Sequence, residues 1–351
     1  MAAVPTRDGG HPPGRPTAVL VYLIRRLFNV VATLLVVSVV TFGIFFAVPK
    51  LTGSDPALMY AGRETNETAL AGIRVKMGFD KPISEQYLIF LKGIFVGRDY
   101  DGGTEVTHCA APCFGYSFKT EAPVWETMLD RMPVTLSLAL GAAVIWVLAG
   151  VATGVISALK RRTAIDRTVM VGALAGVSLP IFFTGMVAPA IFVYSLGWLD
   201  VSNYKPLSED PVAWLNSLIL PWVTLAFLFA ATYARITRAT MLEVLGEDYI
   251  RTARAKGLKE GVVIRKHALR STLTPIVTMF GLDLGGLLGG AVLTETTFNF
   301  QGLGTAAVAA ISAGDLPVIM GVTLLAALFV VMANLIVDLL YAVIDPRVRL
   351  T

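Results

Sequence analysis

Charge is scarce in this chain: 15% of its 351 residues are Asp, Glu, Lys or Arg, against about 25% in an ordinary soluble domain. Cysteine occurs twice and histidine three times. His11, His108 and His267 are scattered along the chain, so no histidine-based catalytic or metal cluster is expected. No Gly-x-x-x-x-Gly-Lys-Ser/Thr phosphate loop occurs anywhere, which argues against ATP hydrolysis by this chain alone. Catalytic groups clustered near one face, as a membrane-embedded enzyme needs, are also missing.

What fills the space is apolar, at 55% of all residues. Several uncharged runs reach the roughly 20 residues that cross a bilayer core. Six spans are expected, giving an all-α membrane protein: Leu27 to Val48, Pro133 to Leu159, about Arg167 to Leu196, about Ala213 to Ala234, about Thr274 to Leu293, and Val318 to Val343. Pro180, Pro189 and Pro221 fall inside these runs and predict kinks rather than breaks, because neighbouring helices can satisfy the freed carbonyls.

Orientation follows from the cations. Residues 1–26, the loop at Lys160 to Arg167, the stretch Arg235 to Arg270 and the tail with Arg347 and Arg349 together hold 19 of the 29 Lys and Arg residues. The positive-inside rule makes that side cytoplasmic, with both termini inside. The first apolar core is longer than a signal h-region and has no convincing cleavage site after it, so it is expected to stay as span one. Before it, Val19 to Arg26 suits a short interfacial helix, and snorkelling at a span end explains it nearly as well.

The outward side is dominated by one loop, 49–132. A connection of this length is not mere linkage; it caps the outer mouth, meets a partner, or packs as a lid with no partner. Its amphipathic stretch Ile83 to Val96 predicts a helix. Cys109 and Cys113 lie in it, and an oxidising exterior favours their pairing across a turn at Pro112. With His108 they leave a zinc ion short of four ligands.

The cytoplasmic loop after span four is polar and basic. Ala253, Ala255 and Gly257 alternate with Arg251, Arg254 and Lys256, and Gly257 is placed as a helix C-cap. Small residues let another surface approach the helix while the cations attract it; a solvated basic loop is the plainer alternative. Span five carries Gly281, Gly285 and Gly289 at every fourth residue, and Gly286 and Gly290 likewise, the spacing that permits close helix approach. This marks either a sliding seam along a pathway or close packing within the chain. Asp283 in the same span should face protein or water, so it lines a pathway or bonds a neighbouring helix. Asp338, near the inner end of span six, is expected to find a partner among the loop arginines.

Glu247 to Leu258 followed by His267 to Pro275 resembles the EAA-type coupling loop of ABC importer permeases, and more narrowly the B-type subunits of the oligopeptide and dipeptide branch. The first three positions of that pattern fall on Arg251, Thr252 and Ala253; Arg replaces the leading Glu, a departure that is itself similar to the peptide branch. Tyr22 to Leu27, Met77 to Pro82, Gln86 to Leu88, Phe114 to Ser117, Arg131 to Thr135, Glu295 to Gly304 and Leu340 to Arg349 extend the resemblance in order along the chain. The polar extension before Val19 and an insert of about Tyr100 to Cys113 depart from it.

The resemblance implies a type I importer fold in a bacterial cytoplasmic membrane. The regions would be 1–26 as extension and interfacial helix, 27–48 as span one, 49–132 as outer loop, 133–343 as permease core with coupling loop 235–273, and 344–351 as tail. A second homologous permease subunit, two cytoplasmic ATPases that bind ATP and Mg, and an extracytoplasmic binding protein would complete the machine, with peptide as cargo and no nucleic acid involved. The helix around Ala253 to Gly257 would dock in an ATPase groove. The same branch also moves nickel chelates, glutathione and other small solutes. An ion-coupled secondary transporter is the alternative of another class, and it would usually show an internal repeat and midplane ion ligands. No clear repeat is visible here.

Overall fold

A computed structural model describes residues 16–48, 53, 55–59, 66–101, 106–199 and 204–344. The first fifteen residues, most of 49–65, and the tail from 345 with Arg347 and Arg349 lie outside the described residues. Helix α1 (Pro16–Phe42) continues through a π turn at Gly43–Ala47. It is unbroken, so the segment before Leu27 is continuous with the helix of the first span, and the part of it long and apolar enough to cross a membrane is Ile24–Ala47.

The segment between the first two long apolar helices holds α2 (Glu67–Met77), α3 (Ile83–Val96) and two small antiparallel strand pairs, β1 (Arg98–Asp101) with β2 (Val106–Cys109) and β3 (Tyr116–Ser117) with β4 (Ala122–Pro123). Asn66 caps α2 through Thr68 N, and Gly78 ends it in the left-handed region at φ +74°, as a C′ glycine does. The membrane part follows as α4 (Val124–Leu159), α5 (Ala164–Ser178), α6 (Ile181–Pro189, prolonged by a π turn Ala190–Ser195) and α7 (Pro211–Leu245). Then come α8 (Asp248–Ala255), a short helical and π turn over 260–268, α9 (Leu269–Leu288), α10 (Val292–Thr297), α11 (Leu303–Ala313) and α12 (Leu316–Ile344).

Among the described residues, five stretches are long and apolar enough to cross a membrane: Ile24–Ala47, Val124–Leu159, Pro211–Leu245, Glu260–Leu288 and Leu316–Leu339. The third expected span is different. Helices α5 and α6 meet at an angle of 105°, so Pro180 marks a break and not the expected kink. Proline disfavours helical geometry in the residue before it, and Leu179 is extended (φ −90°, ψ 124°), as is Pro180 (φ −62°, ψ 144°). Two successive extended residues redirect the chain. Pro133, Pro189, Pro221 and Pro275 stay inside helices.

The core lies where α4, α7 and α9 meet. Trp146, Leu138, Leu218, Leu225, Tyr233 and Ile276 are buried there. Lipid tails are as apolar as such a core, so close packing rather than water exclusion holds membrane helices together. A Cβ on Gly141 would lie 2.0 Å from the Trp222 ring, so glycine seats the indole directly on α4. There Trp222 Nε1 donates to Ser137 O at 2.9 Å.

The lobe of α2, α3 and the strand pairs is packed onto α1 and the start of α12. Tyr87 Oη lies 2.7 Å from Ser38 Oγ of α1, Phe90 and Phe42 share a cluster with Met320 and Leu324 of α12, and Ser117 Oγ donates to buried Asp315. Cys109 and Cys113 are disulfide-bonded with their Cα atoms 5.7 Å apart, and Cys113 N donates to Gly93 O of α3 at 3.2 Å. Thus the expected helix at 83–96 and the two cysteines belong to one ordered lobe. Arg26 and Asp338 pair at 2.5 Å, which corrects the expected partner of Asp338 from a loop arginine to α1.

Candidate functional site

The segment 246–260 gains its shape from two helix ends. Helix α7 stops at Gly246, and α8 begins two residues later with Asp248 in its first turn, where a carboxylate complements the helix dipole. At its other end Gly257 has φ +74°. Its N–H donates to Arg254 O at 2.9 Å, and Leu258 N reaches Ala253 O at 3.4 Å. This closes the helix in the manner of a C′ glycine.

Helix α8 has an inward and an outward face. Ile250 and Ala253 are buried against Ala158 of α4, Met241 and Val244 of α7, and Val263 and Ala268 ahead of α9. Arg251, Thr252, Arg254, Ala255, Lys256 and Gly257 are exposed, as are Asp248 and Tyr249. Ala253 is therefore a correction: it seats the helix on its own chain and does not belong to the exposed surface. Two residues in turn, 250 and 253, fall three apart on one face, a signal the alternation of small and basic residues had masked.

Charge on the outward face is partly paired. Arg254 makes two bonds to Glu260, at 2.7 and 3.1 Å, and Arg251 reaches Asp248 at 3.2 Å. Exposed pairs of this kind contribute little stability; Arg251–Asp248 lies within α8, and Arg254–Glu260 links α8 to the turn that follows it. Tyr249 Oη donates to Ser271 Oγ at 3.1 Å, a link to α9 not anticipated from the sequence.

Sequence reasoning missed an ionic cluster centred on the buried carboxylate of Asp166. Asp166 accepts from Arg238 Nε at 2.7 Å and Nη2 at 2.9 Å, from Ser157 Oγ at 2.5 Å and from Arg162 N at 2.9 Å. It joins the C-terminal end of α4 and the N-terminal end of α5 to α7. A second missed acid is Glu295 on α10, fully buried, which accepts from Thr135 Oγ1 at 2.8 Å, Thr305 N at 2.9 Å and Ala291 N at 3.3 Å. Thr135 Oγ1 in turn accepts from Leu303 N at 2.8 Å, so one carboxylate pins α10 and α11 to α4.

The span-five glycines separate into distinct roles. Gly281, Gly285 and Gly289 face α12, where an added Cβ would lie 2.1 Å from Val337 Cγ2, 2.9 Å from Val330 Cα and 2.7 Å from Ala326 Cβ. That face is close packing within the chain. Nothing lies within 4 Å of a Cβ on Gly286. Gly290 is past the end of α9, at φ +136° and backbone to backbone with Gly304, so Gly286 and Gly290 do not form a second continuous stripe. Asp283 accepts a hydrogen bond from Tyr233 Oη at 2.8 Å.

Apolar spans, a helix pair bent by 105° and a helix seated between two of the spans define a polytopic membrane protein. The chain belongs to the family described as binding-protein-dependent transport system inner membrane component, whose profile matches residues 150–350, with the N-terminal profile of the same systems matching residues 19–139. It is 38% identical to a putative peptide transport system permease protein of Brucella abortus, over 93% of this chain and 98% of that one. It is 37% identical to the dipeptide transport system permease protein of Escherichia coli K12 and to the di/tripeptide transport system permease protein of Pseudomonas aeruginosa, each over 94% of this chain and 99% of the relative. It is a multi-pass protein of the cytoplasmic membrane and a permease subunit, not an enzyme.

Proposed function

We propose that this chain is one of two membrane subunits of an ATP-driven importer that carries peptides inward, with both termini and α8 in the cytoplasm. The observation that carries the reading is the two-faced seating of α8. Ile250 and Ala253 lock it onto α4, α7 and the start of α9, while Arg251, Thr252, Ala255 and Lys256 stand out for a partner. Its relatives bear peptide-transport names along nearly their whole length.

In this reading two partner ATPases bind ATP and Mg and receive the outward face of α8. Their closure moves α8, and because that helix is fixed to three others the spans turn with it. Such a lever works only if the partner's contact differs between the two states. A binding protein outside delivers the peptide to the mouth beside the lobe of α2, α3 and the two strand pairs, in which α3 packs on α1 and α12.

Uptake of labelled peptides of graded length by cells with and without this gene tests the cargo. Loss of di- or oligopeptide uptake is expected in the gene's absence. Unchanged peptide uptake, with loss of a nickel chelate or glutathione instead, would replace peptide by that solute. For topology, a cysteine introduced as Lys256→Cys should react with a membrane-impermeant thiol reagent only from the cytoplasmic side. Labelling from outside would invert the arrangement.

A further inference from the structure

We propose that Asp283, at the edge between the core-packed and open faces of α9, is a cation-accepting site that takes an ammonium group of the substrate on its way through the membrane; this rests on the peptide-importer reading above. Residues two apart on a helix project about 200° apart. Asp283 stands two residues from Gly281 and two from Gly285, both of which are packed on α12. It therefore points away from that seam. Beside it on the same side are Leu282, 56% exposed, and the open space at Gly286.

A membrane carboxylate does not face lipid; it faces protein or a water-filled path. Ile276, Phe280 and Leu287 on the same side of α9 pack into the core, and Asp283 is half buried at that side's edge. Tyr233, fully buried beside Trp146, donates to Oδ2 at 2.8 Å, which holds the carboxylate in place and leaves Oδ1 without a protein hydrogen bond among the described residues. No described Lys or Arg forms an ion pair with it, whereas Asp166 and Asp338 each have an arginine. The arrangement is a fixed anionic acceptor, half buried, beside open space. Its match is a compact cation with N–H donors, and charge-assisted bonds of that kind are about twice as strong as neutral ones. Every peptide with a free N-terminus carries such a group, and a lysine side chain supplies another.

Two measurements on the assembled transporter test this. In membranes, a cysteine introduced as Gly286→Cys is probed with a quaternary-ammonium methanethiosulfonate and its sulfonate counterpart; the chain's own two cysteines are paired. The cation is expected to react faster, and Asp283→Asn should lower the cation-to-anion ratio about tenfold, the equivalent of ~1.4 kcal/mol. No reaction with either reagent, or a ratio indifferent to Asp283→Asn, overturns the site.

In proteoliposomes with all partner subunits and the binding protein at saturation, Asp283→Asn should slow the maximal uptake of dialanine and Lys-Ala about tenfold, with Asp283→Glu retaining most of it. Slowing of both peptides assigns the N-terminal ammonium, and slowing of Lys-Ala alone assigns the side chain. Wild-type rates for both peptides overturn the proposal. So does loss of the second permease subunit from the purified Asp283→Asn complex, which would make that subunit the partner of the charge. If the wild-type complex takes up no peptide, the peptide reading fails, and with it the ammonium of a peptide as the ligand; the labelling ratio still judges the anionic site separately.

Discussion

Gly257→Trp should leave the protein in the membrane and ATP turnover measurable while peptide uptake falls at least about tenfold. Gly257 holds φ +74° and a Cβ there meets nothing within 4 Å. The left-handed conformation costs an L-residue about 1–2 kcal/mol, a penalty confined to the end of an eight-residue helix whose inward anchors, Ile250 and Ala253, are untouched. The fold should survive it. The indole, however, projects from the end of α8 on the side where a partner must approach. Gly257→Ala separates the two effects, since it carries the backbone strain without the bulk, and it should retain most of the uptake. Uptake by reconstituted complexes, divided by ATP hydrolysed, is the quantity to compare. Equal ratios for Gly257→Trp and wild type would remove the docking role from this end of α8.

The extent to which this site could be read from the sequence differs residue by residue. Gly257 was legible because a left-handed cap has a strong residue preference. Ala253 was misplaced because its small size suits two opposite purposes, receiving a partner and letting α8 lie close on Met241 and Val263. Only the positions of α4, α7 and α9 decide between them. The spans were legible from length and composition, yet the break at Pro180 was not, since the same proline inside α4 or α7 leaves the helix whole. Whether freed carbonyls find partners depends on neighbours that no local pattern encodes.

The glycines of span five show a related limit. Their spacing announced close approach, but it did not say that 281, 285 and 289 meet α12 while 286 stays open. Glu295 was quoted only as part of a resembling motif. Its role depends on Thr135, 160 residues earlier, and no periodicity carries information over that distance. Asp283 lay between: its burial in an apolar run flagged it, and the identity of Tyr233 as its partner needed the fold.

Arg238→Ala is expected to lower the thermal stability of the protein, because it removes two of the four hydrogen bonds to the Asp166 carboxylate and leaves its charge uncompensated. The Asp166 side chain is 7% exposed, and the guanidinium supplies two of its four hydrogen bonds. Arg238→Lys keeps the charge but not the paired geometry, so it should lie between Ala and wild type. Replacing both charges, Asp166→Leu with Arg238→Met, should recover most of the stability, since the penalty comes from the unpaired ion more than from the value of the pair.

Thermal unfolding of the complex in detergent measures the ranking. A single alanine variant as stable as wild type, or a double variant no better than it, would sink the account. The double variant also carries a functional test. Asp166 opens α5, the first half of the broken span, and Arg238 lies on α7, the helix that runs into α8. A lever transmits force only through joints that hold under load. A polar clamp with four directed bonds resists sliding, whereas an apolar contact in its place does not. The double variant should therefore fold, dock its partners and hydrolyse ATP, yet move less peptide for each ATP than the wild type does.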